Sequence, residues 1–233
     1  MKPLAIIIPT KNEFASIIPL IGEISASMGS RPWKLVFVDD STDQTALAIA
    51  TCASDDRRIQ LVHQKRGGGL TGAIYEGLKA VPDAKFIAVM DGDRQHDPAY
   101  LPELVHQVRS GRADIAIASR VPPLPASAPL TVIESATIKM AKAALPNEIS
   151  DPLSRFFVSR RSCIEAAAPK ATTDRSTAPL LAILAANPTA KVEERPLPWR
   201  PREQGRSKAG LAATASLLFS IARLRRAQPA KAA

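Results

Sequence analysis

Short apolar runs recur through the first half of the chain, and each ends in polar residues. The runs are four or five residues long, which is typical of buried strands in a parallel sheet. We predict strands at Leu4–Ile8, Leu35–Val38, Ile59–Val62, Phe86–Met90 and Asp114–Ala118. Helical spacing of apolar residues lies between the runs. The pattern therefore predicts repeated β-α units, which form a mostly parallel central sheet with helices on both faces.

Local signals set the expected boundaries of these elements. Pro9 is predicted to end the first strand, and Ser41 and Thr42 to cap a helix over Gln44–Ala53. Further helices are predicted to open at a glycine run, 67–69, and at Pro98. They would run to Leu78 and Arg109.

The second half of the chain is less regular. Four prolines over Val121–Pro129 predict an extended loop. Helices are then predicted at Leu130–Leu145, Thr177–Ala186 and Leu211–Arg226, and strands at the end of Asp151–Val158 and at Ala190–Arg195. We expect one α/β domain over 1–210, followed by an amphipathic basic helix and tail over 211–233.

Polar side chains follow the predicted strands. They are Glu13, Asp39, Asp40, Lys65, Asp91, Asp93 and Arg120. Each one singly is an ordinary polar loop residue. Because ligands of open α/β sheets bind outside the carboxyl ends of the strands, the repetition predicts a binding site at that edge.

Asp91 and Asp93 are the strongest candidates for chemistry. Gly92 between them allows a tight turn, so both carboxylates can face one point. Hard oxygen ligands suit Mg²⁺ or Mn²⁺, and Gln95 can add a carbonyl oxygen. The alternative is a surface turn in which Asp93 or Asp97 caps the next helix.

Charge and composition narrow the function classes. The net charge is +9, and nine Lys or Arg against one acid lie from Arg195 onward. This local excess predicts a surface for phosphates, anionic lipid or nucleic acid. Aromatic residues make up only 4% of the chain, which disfavours nucleic-acid binding by stacking.

The glycine run and the cysteines exclude other classes. Neither a GxGxxG nor a GxxxxGK[ST] pattern occurs, so ordinary dinucleotide-binding and P-loop functions lose support. Cys52 and Cys163 form no metal or redox spacing, and no signal-peptide or membrane-spanning pattern is present. We expect a cytoplasmic protein.

Five motifs in family order, together with a segment at Asp151–Phe157, resemble family 2 glycosyltransferases of the GT-A fold, and in particular the polyprenyl-phosphate (dolichol-phosphate) mannose synthases. The motifs and the segment are Ile8-Pro-Thr-Lys-Asn-Glu13, Phe37-Val-Asp-Asp-Ser-Thr-Asp-Gln-Thr45, a glycine-rich stretch over 67–77, Met90-Asp-Gly-Asp-Arg-Gln-His-Asp-Pro98, Asp151-Pro-Leu-Ser-Arg-Phe-Phe157 and Arg202-Glu-Gln-Gly-Arg-Ser-Lys208. The resemblance implies an enzyme that transfers a hexose from a nucleotide sugar, with mannose from GDP-mannose as the leading donor. A polyprenyl monophosphate would be the acceptor, and inversion at the anomeric carbon is expected.

The resemblance also implies roles for individual residues. Asp91, Asp93 and Gln95 would hold Mg²⁺ or Mn²⁺. The nucleotide and donor would contact Pro9, Thr10, Glu13, Asp39, Asp40, Gly69, Asp91 and Gly92. The phosphates of donor and acceptor would contact Arg120, Arg155, Arg202, Ser207 and Lys208. Asp151 would serve as a base or orient the acceptor, and His96 would support the metal loop.

Departures from the family pattern keep alternatives open. Arg155 stands where a glycine is usual, and 121–145 lacks the usual paired glycines and arginine. A UDP-glucose or UDP-N-acetylglucosamine donor, or a soluble acceptor, therefore remains an alternative. Because no membrane anchor follows the motifs, the 211–226 helix is expected either to lie on the inner face of the cell membrane or to pack against the core. Nucleic-acid binding is the non-enzymatic alternative.

Overall fold

The computed structural model describes residues 4–64, 68–120, 132–145, 148–171, 178–198, 200, 218 and 221–222. Its strands are β1 (Leu4–Thr10), β2 (Trp33–Asp39), β3 (Ile59–His63), β4 (Phe86–Val89), β5 (Ile115–Ser119), β6 (Phe157–Arg160) and β7 (Val192–Pro196). Its helices are α1 (Phe14–Met28), α2 (Thr45–Asp55), α3 (Gly69–Ala80), α4 (Leu101–Arg109), α5 (Val132–Lys142), α6 (Arg161–Ala171) and α7 (Pro179–Ala186), with a 3-10 turn at Pro98–Tyr100. The loop predicted over 121–129 lies outside the described residues.

The strands form one sheet in the order β3-β2-β1-β4-β6-β5-β7. All neighbouring pairs are parallel except those of β6, which runs antiparallel to both β4 and β5. Because of this reversal, the start of β6 lies at the same edge as the ends of the other strands. The prediction of a mostly parallel sheet is confirmed. Because β6 runs in the opposite direction, the residues just before it also lie at the carboxyl edge of the sheet.

Both faces of the sheet are buried. Alternate residues of β1 point to opposite sides, so Ala5 and Ile7 belong to one apolar cluster and Leu4, Ile6 and Ile8 to the other. Helices α3, α6 and α7 cover the first face, whereas α1, α2 and α4 cover the second. Burial on two sides explains why the strands read as continuous apolar runs.

Among the predicted boundaries that differ from the structure, two are wrong for a clear physical reason. β1 continues through Pro9 to Thr10, because its pairing with β4 ends at Ile7 and the missing N–H of Pro9 leaves no gap in that ladder. Helix α2 is not capped by Ser41 or Thr42. Instead, the carboxylate of Asp43 accepts a hydrogen bond from the backbone N–H of Thr45 at 3.0 Å.

Helix α6 was not predicted, since Arg161 begins it directly after β6 with no intervening loop. The guanidinium of Arg161 donates hydrogen bonds to the carbonyls of Leu78 and Val81 at the C-terminal end of α3, at 3.2 and 2.7 Å. This contact joins segments that are distant in the chain, so no local pattern around Arg161 indicates it.

Gly77 sets how closely α3 packs on the sheet. A Cβ at this position would lie 2.7 Å from Ile7 Cγ2 and 3.1 Å from Val38 Cγ2. We expect Gly77→Ala to lower the free energy of unfolding by about 1–3 kcal/mol, as overpacking does in dense cores. Gly22→Ala is the matched control, because nothing lies within 4 Å of its Cβ on helix α1. Urea denaturation should show the control unchanged or stabilised, and equal effects of the two changes would contradict this packing.

Candidate functional site

The carboxyl ends of β1, β2, β4 and β5 bring four polar residues to one edge of the sheet. They are Thr10, Asp39, Asp91 and Ser119, and each is less than a tenth exposed. The parallel register places Thr10 beside Asp39. The predicted clustering of polar residues at this edge is therefore observed for the described part of the chain.

Asp39 organises the loops that follow β1 and β2. Its Oδ1 accepts hydrogen bonds from the hydroxyls of Thr10 at 2.8 Å and Ser41 at 2.6 Å. Its Oδ2 accepts one from the backbone N–H of Ser41 at 3.2 Å. Asp40 is more exposed and pairs with Lys11 at 2.8 Å. The predicted contact of Asp39 and Asp40 with a nucleotide stays a prediction.

Other predicted donor residues lie around this edge. Pro9 is half-buried near the end of β1, and the backbone N–H of Glu13 donates to the hydroxyl of Thr45 at 3.0 Å. Gly69 begins α3 with a φ of 58°, a left-handed conformation that glycine adopts without strain. Its carbonyl accepts a hydrogen bond from the side chain of Gln64 at 2.6 Å.

The loop after β4 carries Asp91 and Asp93, which are 8% and 7% exposed. Gly92 between them packs against the end of β1, where a Cβ would lie 3.0 Å from Thr10 Cγ2. The carboxylate of Asp93 accepts a hydrogen bond from the backbone N–H of Gln95 at 3.2 Å. Asp97 caps the 3-10 turn through the backbone N–H of Ala99 at 2.9 Å. The capping alternative therefore holds for Asp97.

The buried side chain of His96 holds this loop from the protein interior. Its Nδ1 accepts a hydrogen bond from the backbone N–H of Asp91 at 2.9 Å, and its ring stacks on Phe156 with centroids 5.2 Å apart. Complete burial, helped by the nearby charge of Arg155, lowers the pKa of His96 to about 3. The imidazole is therefore neutral at physiological pH, and its Nε2 lies 3.9 Å from Asp91 Oδ2.

A second group of side chains, missed by the sequence reasoning, holds the other side of the loop. Glu23 on α1 accepts hydrogen bonds from the guanidinium of Arg94, whose φ is 61°, and from Arg200 at 2.8 Å. Arg200 also pairs with Asp97 at 2.8 Å, and its backbone N–H donates to the carbonyl of Gln95 at 3.0 Å. These contacts join α1, the Asp91–Asp97 loop and the chain after β7.

Asp151 is buried and tightly held. Both of its carboxylate oxygens accept hydrogen bonds from the guanidinium of Arg120, at 2.8 and 2.9 Å, in the bidentate geometry that arginine favours. Glu194 on β7 accepts from the backbone N–H of Asp151 at 3.0 Å and from the hydroxyl of Ser119 at 2.7 Å. Strand β7 thus fixes the turn that carries Asp151.

Arg155 lies directly against Asp91. Its Nη2 is 2.8 Å from Asp91 Oδ2. The structure therefore brings two carboxylates, Asp91 and Asp93, and two guanidiniums, Arg120 and Arg155, to the same end of the sheet. Four further predicted site residues lie outside the described part of the chain: Lys65, Arg202, Ser207 and Lys208.

The oxygen ligands that this loop offers fit a hard divalent cation. Asp91 and Asp93 supply carboxylate oxygens on one short loop, and Gln95 is held two residues further on. Over the described ranges, no group of three or more His, Cys, Asp or Glu is close enough to hold a metal ion. A cation at this loop would therefore take the rest of its ligands from phosphate oxygens or water, as Mg²⁺ commonly does.

Sequence signals for the missed residues are weak. Glu23 lies in an amphipathic helix, where a charged residue is ordinary, and Glu194 lies in a strand with a neighbouring glutamate. The departure at Arg155 was visible as an unusual residue type. Its contact with Asp91 depends on the direction of β6, which no local pattern specifies.

The C-terminal segment is described at three positions only. Ile221 is fully buried in the apolar cluster under α6 and α7, whereas Leu218 and Ala222 are exposed. At Ile221 the segment packs against the core. Among the described residues, no helix has both the length and the apolar character needed to cross a bilayer.

Comparisons of the sequence identify relatives. The family described as "Glycosyl transferase family 2" matches residues 5–166, more than half of the chain. A dolichol-phosphate mannosyltransferase of Pyrococcus furiosus is 30% identical over 213 residues, which are 88% of this chain and 58% of that protein. A dolichol-phosphate mannosyltransferase of Saccharomyces cerevisiae is 26% identical over 219 residues, which are 88% of this chain and 80% of that protein. The chain thus spans less than two thirds of the Pyrococcus relative.

A comparison of structures gives the same picture of the fold. Glucosyl-3-phosphoglycerate synthase from Mycobacterium tuberculosis, solved with Mn²⁺, uridine diphosphate and phosphoglyceric acid, superposes with a TM-score of 0.74. The alignment covers 98% of this chain and 80% of that chain at 16% identity. At this identity the likeness establishes the fold alone.

Proposed function

This chain belongs to glycosyl transferase family 2 and has the GT-A fold, and from that premise we propose that it transfers a hexose from a nucleotide sugar to a polyprenyl monophosphate. The observation that carries the proposal is the grouping of Asp91 and Asp93 with Arg120 and Arg155 at one sheet edge. Carboxylates there suit a cation, and guanidiniums suit phosphate groups. Both are needed when the leaving group and the acceptor are phosphates.

The donor side of the site lies at β1, β2 and β4. Asp91, Asp93 and Gln95 would hold Mg²⁺ or Mn²⁺, which as a Lewis acid neutralises charge on the departing diphosphate. The nucleotide would lie along Pro9, Thr10, Glu13, Asp39, Asp40, Gly69 and Gly92. The neutral ring of His96 and the contacts of Glu23 keep the Asp91–Asp97 loop in place for this task.

The leading donor is GDP-mannose, because both relatives described above are named as mannosyltransferases. A UDP-sugar donor is the second candidate, since the structurally similar synthase was solved with uridine diphosphate. That synthase also holds phosphoglyceric acid, so a soluble phosphorylated acceptor belongs to the same alternative. The two candidates share the metal loop and differ in base and acceptor.

The acceptor side lies at β5 and β6. A polyprenyl monophosphate is already anionic near neutral pH, so its oxygen can attack without a general base. Because Arg120 holds both oxygens of Asp151, we assign Asp151 to orienting Arg120 and the acceptor phosphate. The phosphate oxygen forms a bond to the anomeric carbon as the bond to the diphosphate breaks, which inverts that carbon. The phosphates would also accept hydrogen bonds from Arg155, Arg202, Ser207 and Lys208.

A lipid-linked acceptor requires contact with a membrane. We propose peripheral attachment at the inner face of the cell membrane, supported by the basic residues Arg223, Arg225 and Arg226. Because Ile221 packs against the core, truncation would disturb the fold. Flotation with anionic vesicles should instead compare the full chain with a variant in which these three arginines are glutamine. Equal flotation of the two proteins would remove this proposal.

The test of function is a screen of nucleotide sugars followed by a transfer assay. Thermal unfolding with GDP-mannose, UDP-glucose and UDP-N-acetylglucosamine, each with and without Mn²⁺, should show metal-dependent stabilisation by one donor. That donor is then incubated with a short-chain polyprenyl phosphate or with 3-phosphoglycerate, and the product is identified by mass spectrometry. Transfer to 3-phosphoglycerate alone would favour the second candidate. A covalent sugar–protein adduct would contradict inversion by direct displacement.

A further inference from the structure

The geometry of the sheet places the positively charged side chain of Arg155 beside the carboxylate of Asp91. In the antiparallel register of β4 and β6, Val89 lies opposite Phe157. Continuing this register by two residues brings Asp91 opposite Arg155, and their side chains are indeed paired, with Nη2 and Oδ2 2.8 Å apart. The ion pair therefore follows from the direction and register of β6.

The backbone beside Arg155 is firmly held. The hydroxyl of Ser154 donates to the carbonyl of Ala118 at 2.7 Å and accepts from the backbone N–H of Phe156 at 3.1 Å. Phe156 is 2% exposed and stacks on His96, which in turn accepts the backbone N–H of Asp91. The stacked rings of Phe156 and His96 thus hold the backbone next to Arg155 and the backbone of Asp91.

The guanidinium itself can still change partner. The Arg155 side chain is 40% exposed, whereas that of Asp91 is 11% exposed. A divalent cation binding at Asp91 competes with this guanidinium for the same oxygen, since the two positive charges repel each other at contact distance. A diphosphate arriving with the cation offers the guanidinium a new, bidentate partner.

We propose that Arg155 couples cation binding to nucleotide binding: it holds Asp91 in the free protein and moves to the donor's diphosphate when nucleotide and cation bind together. This inference rests on the proposed function, because it requires a cation and a diphosphate at this site. Its consequence is that Mn²⁺ alone binds weakly, and that the nucleotide strengthens Mn²⁺ binding. By linkage, Mn²⁺ strengthens nucleotide binding by the same factor.

The experiment titrates Mn²⁺ by electron paramagnetic resonance, without nucleotide and with saturating GDP, with UDP in parallel. In Arg155→Gln the competing charge is gone, so we expect Mn²⁺ alone to bind about tenfold more tightly, with the coupling reduced by about the same factor, a size common for linked sites. Arg155→Lys keeps the competing charge, so Mn²⁺ alone should bind it as weakly as it binds the wild type. These are direct binding measurements and need no turnover.

The matched control is Arg160→Gln. Arg160 is the last residue of β6, and its side chain is 38% exposed. It pairs with Asp114 at 2.7 Å, away from the Asp91–Asp97 loop. It should leave Mn²⁺ affinity unchanged, which separates the local contact from a general loss of positive charge.

The outcomes are distinguishable. If Arg155 had only a structural role, Arg155→Gln would bind Mn²⁺ equally or more weakly, which would overturn this inference while leaving the proposed function in place. Binding of neither Mn²⁺ nor either nucleotide to the wild type would overturn both.

Discussion

Replacing Asp93 with asparagine should lower the rate of sugar transfer by about a hundredfold to a thousandfold, the size of effect seen when one group that stabilises transition-state charge is removed. The substituted amide retains an oxygen able to accept the backbone N–H of Gln95, so the loop should keep its shape. The change removes one negative charge, and with it the affinity for Mn²⁺. Initial rates with the donor found in the screen, at several Mn²⁺ concentrations, measure the effect.

The control for this change is Asp83→Asn. Asp83 is exposed and precedes β4, so it lies at the opposite end of that strand from Asp91. It should retain wild-type rate and wild-type Mn²⁺ dependence. A similar Mn²⁺ dependence in Asp93→Asn and the wild type would exclude Asp93 as a metal ligand.

Replacing Arg120 with glutamine should lower the free energy of unfolding by about 3 kcal/mol, because it leaves the carboxylate of Asp151 buried without its charged partner. Asp151 is 1% exposed, and Arg120 contacts it through its backbone N–H as well as its guanidinium. Urea denaturation at neutral pH measures the loss. The same variant should also bind acceptor phosphate more weakly, which appears as a raised KM for the acceptor.

Two further variants test whether the expected loss of stability comes from the Arg120–Asp151 pair. Arg160→Gln breaks a half-exposed pair with Asp114 and should cost less than about 1 kcal/mol. The double variant Arg120→Gln with Asp151→Asn should be more stable than the sum of the single changes implies, since no unpaired charge is left buried. Full additivity would mean that the Arg120–Asp151 pair does not stabilise the fold.

The Asp91–Asp97 loop shows how much of the site local sequence patterns can predict. An apolar run that ends in Asp91-Gly-Asp93 identified both the end of β4 and the candidate ligands, because strand burial and turn chemistry act over a few residues. The loop's supports were not predictable in this way. Glu23 and Arg200 are 177 residues apart in the chain, and nothing in the local sequence of either specifies the other.

The region around Asp151 likewise has features that the local sequence indicated and contacts that depend on distant segments. The sequence motif indicated a turn followed by a strand. It singled out Asp151 as a candidate site residue and Arg155 as a departure from the family pattern. It did not indicate that Arg120, directly after β5, and Glu194 on β7 hold Asp151. Such contacts depend on the strand order β4-β6-β5-β7, which places 151–157 between segments distant in the chain.

By itself, the sequence determined the succession of the strands and of the helices other than α6, the parallel character of most of the sheet and the placement of acidic residues at its carboxyl edge. These follow from apolar periodicity and turn residues, which are local properties. Only the tertiary structure decided that β6 runs against its neighbours and so brings Arg155 onto Asp91. The physical reason is that strand direction and register are set by packing across the whole sheet, where each strand's position depends on segments far away in the chain.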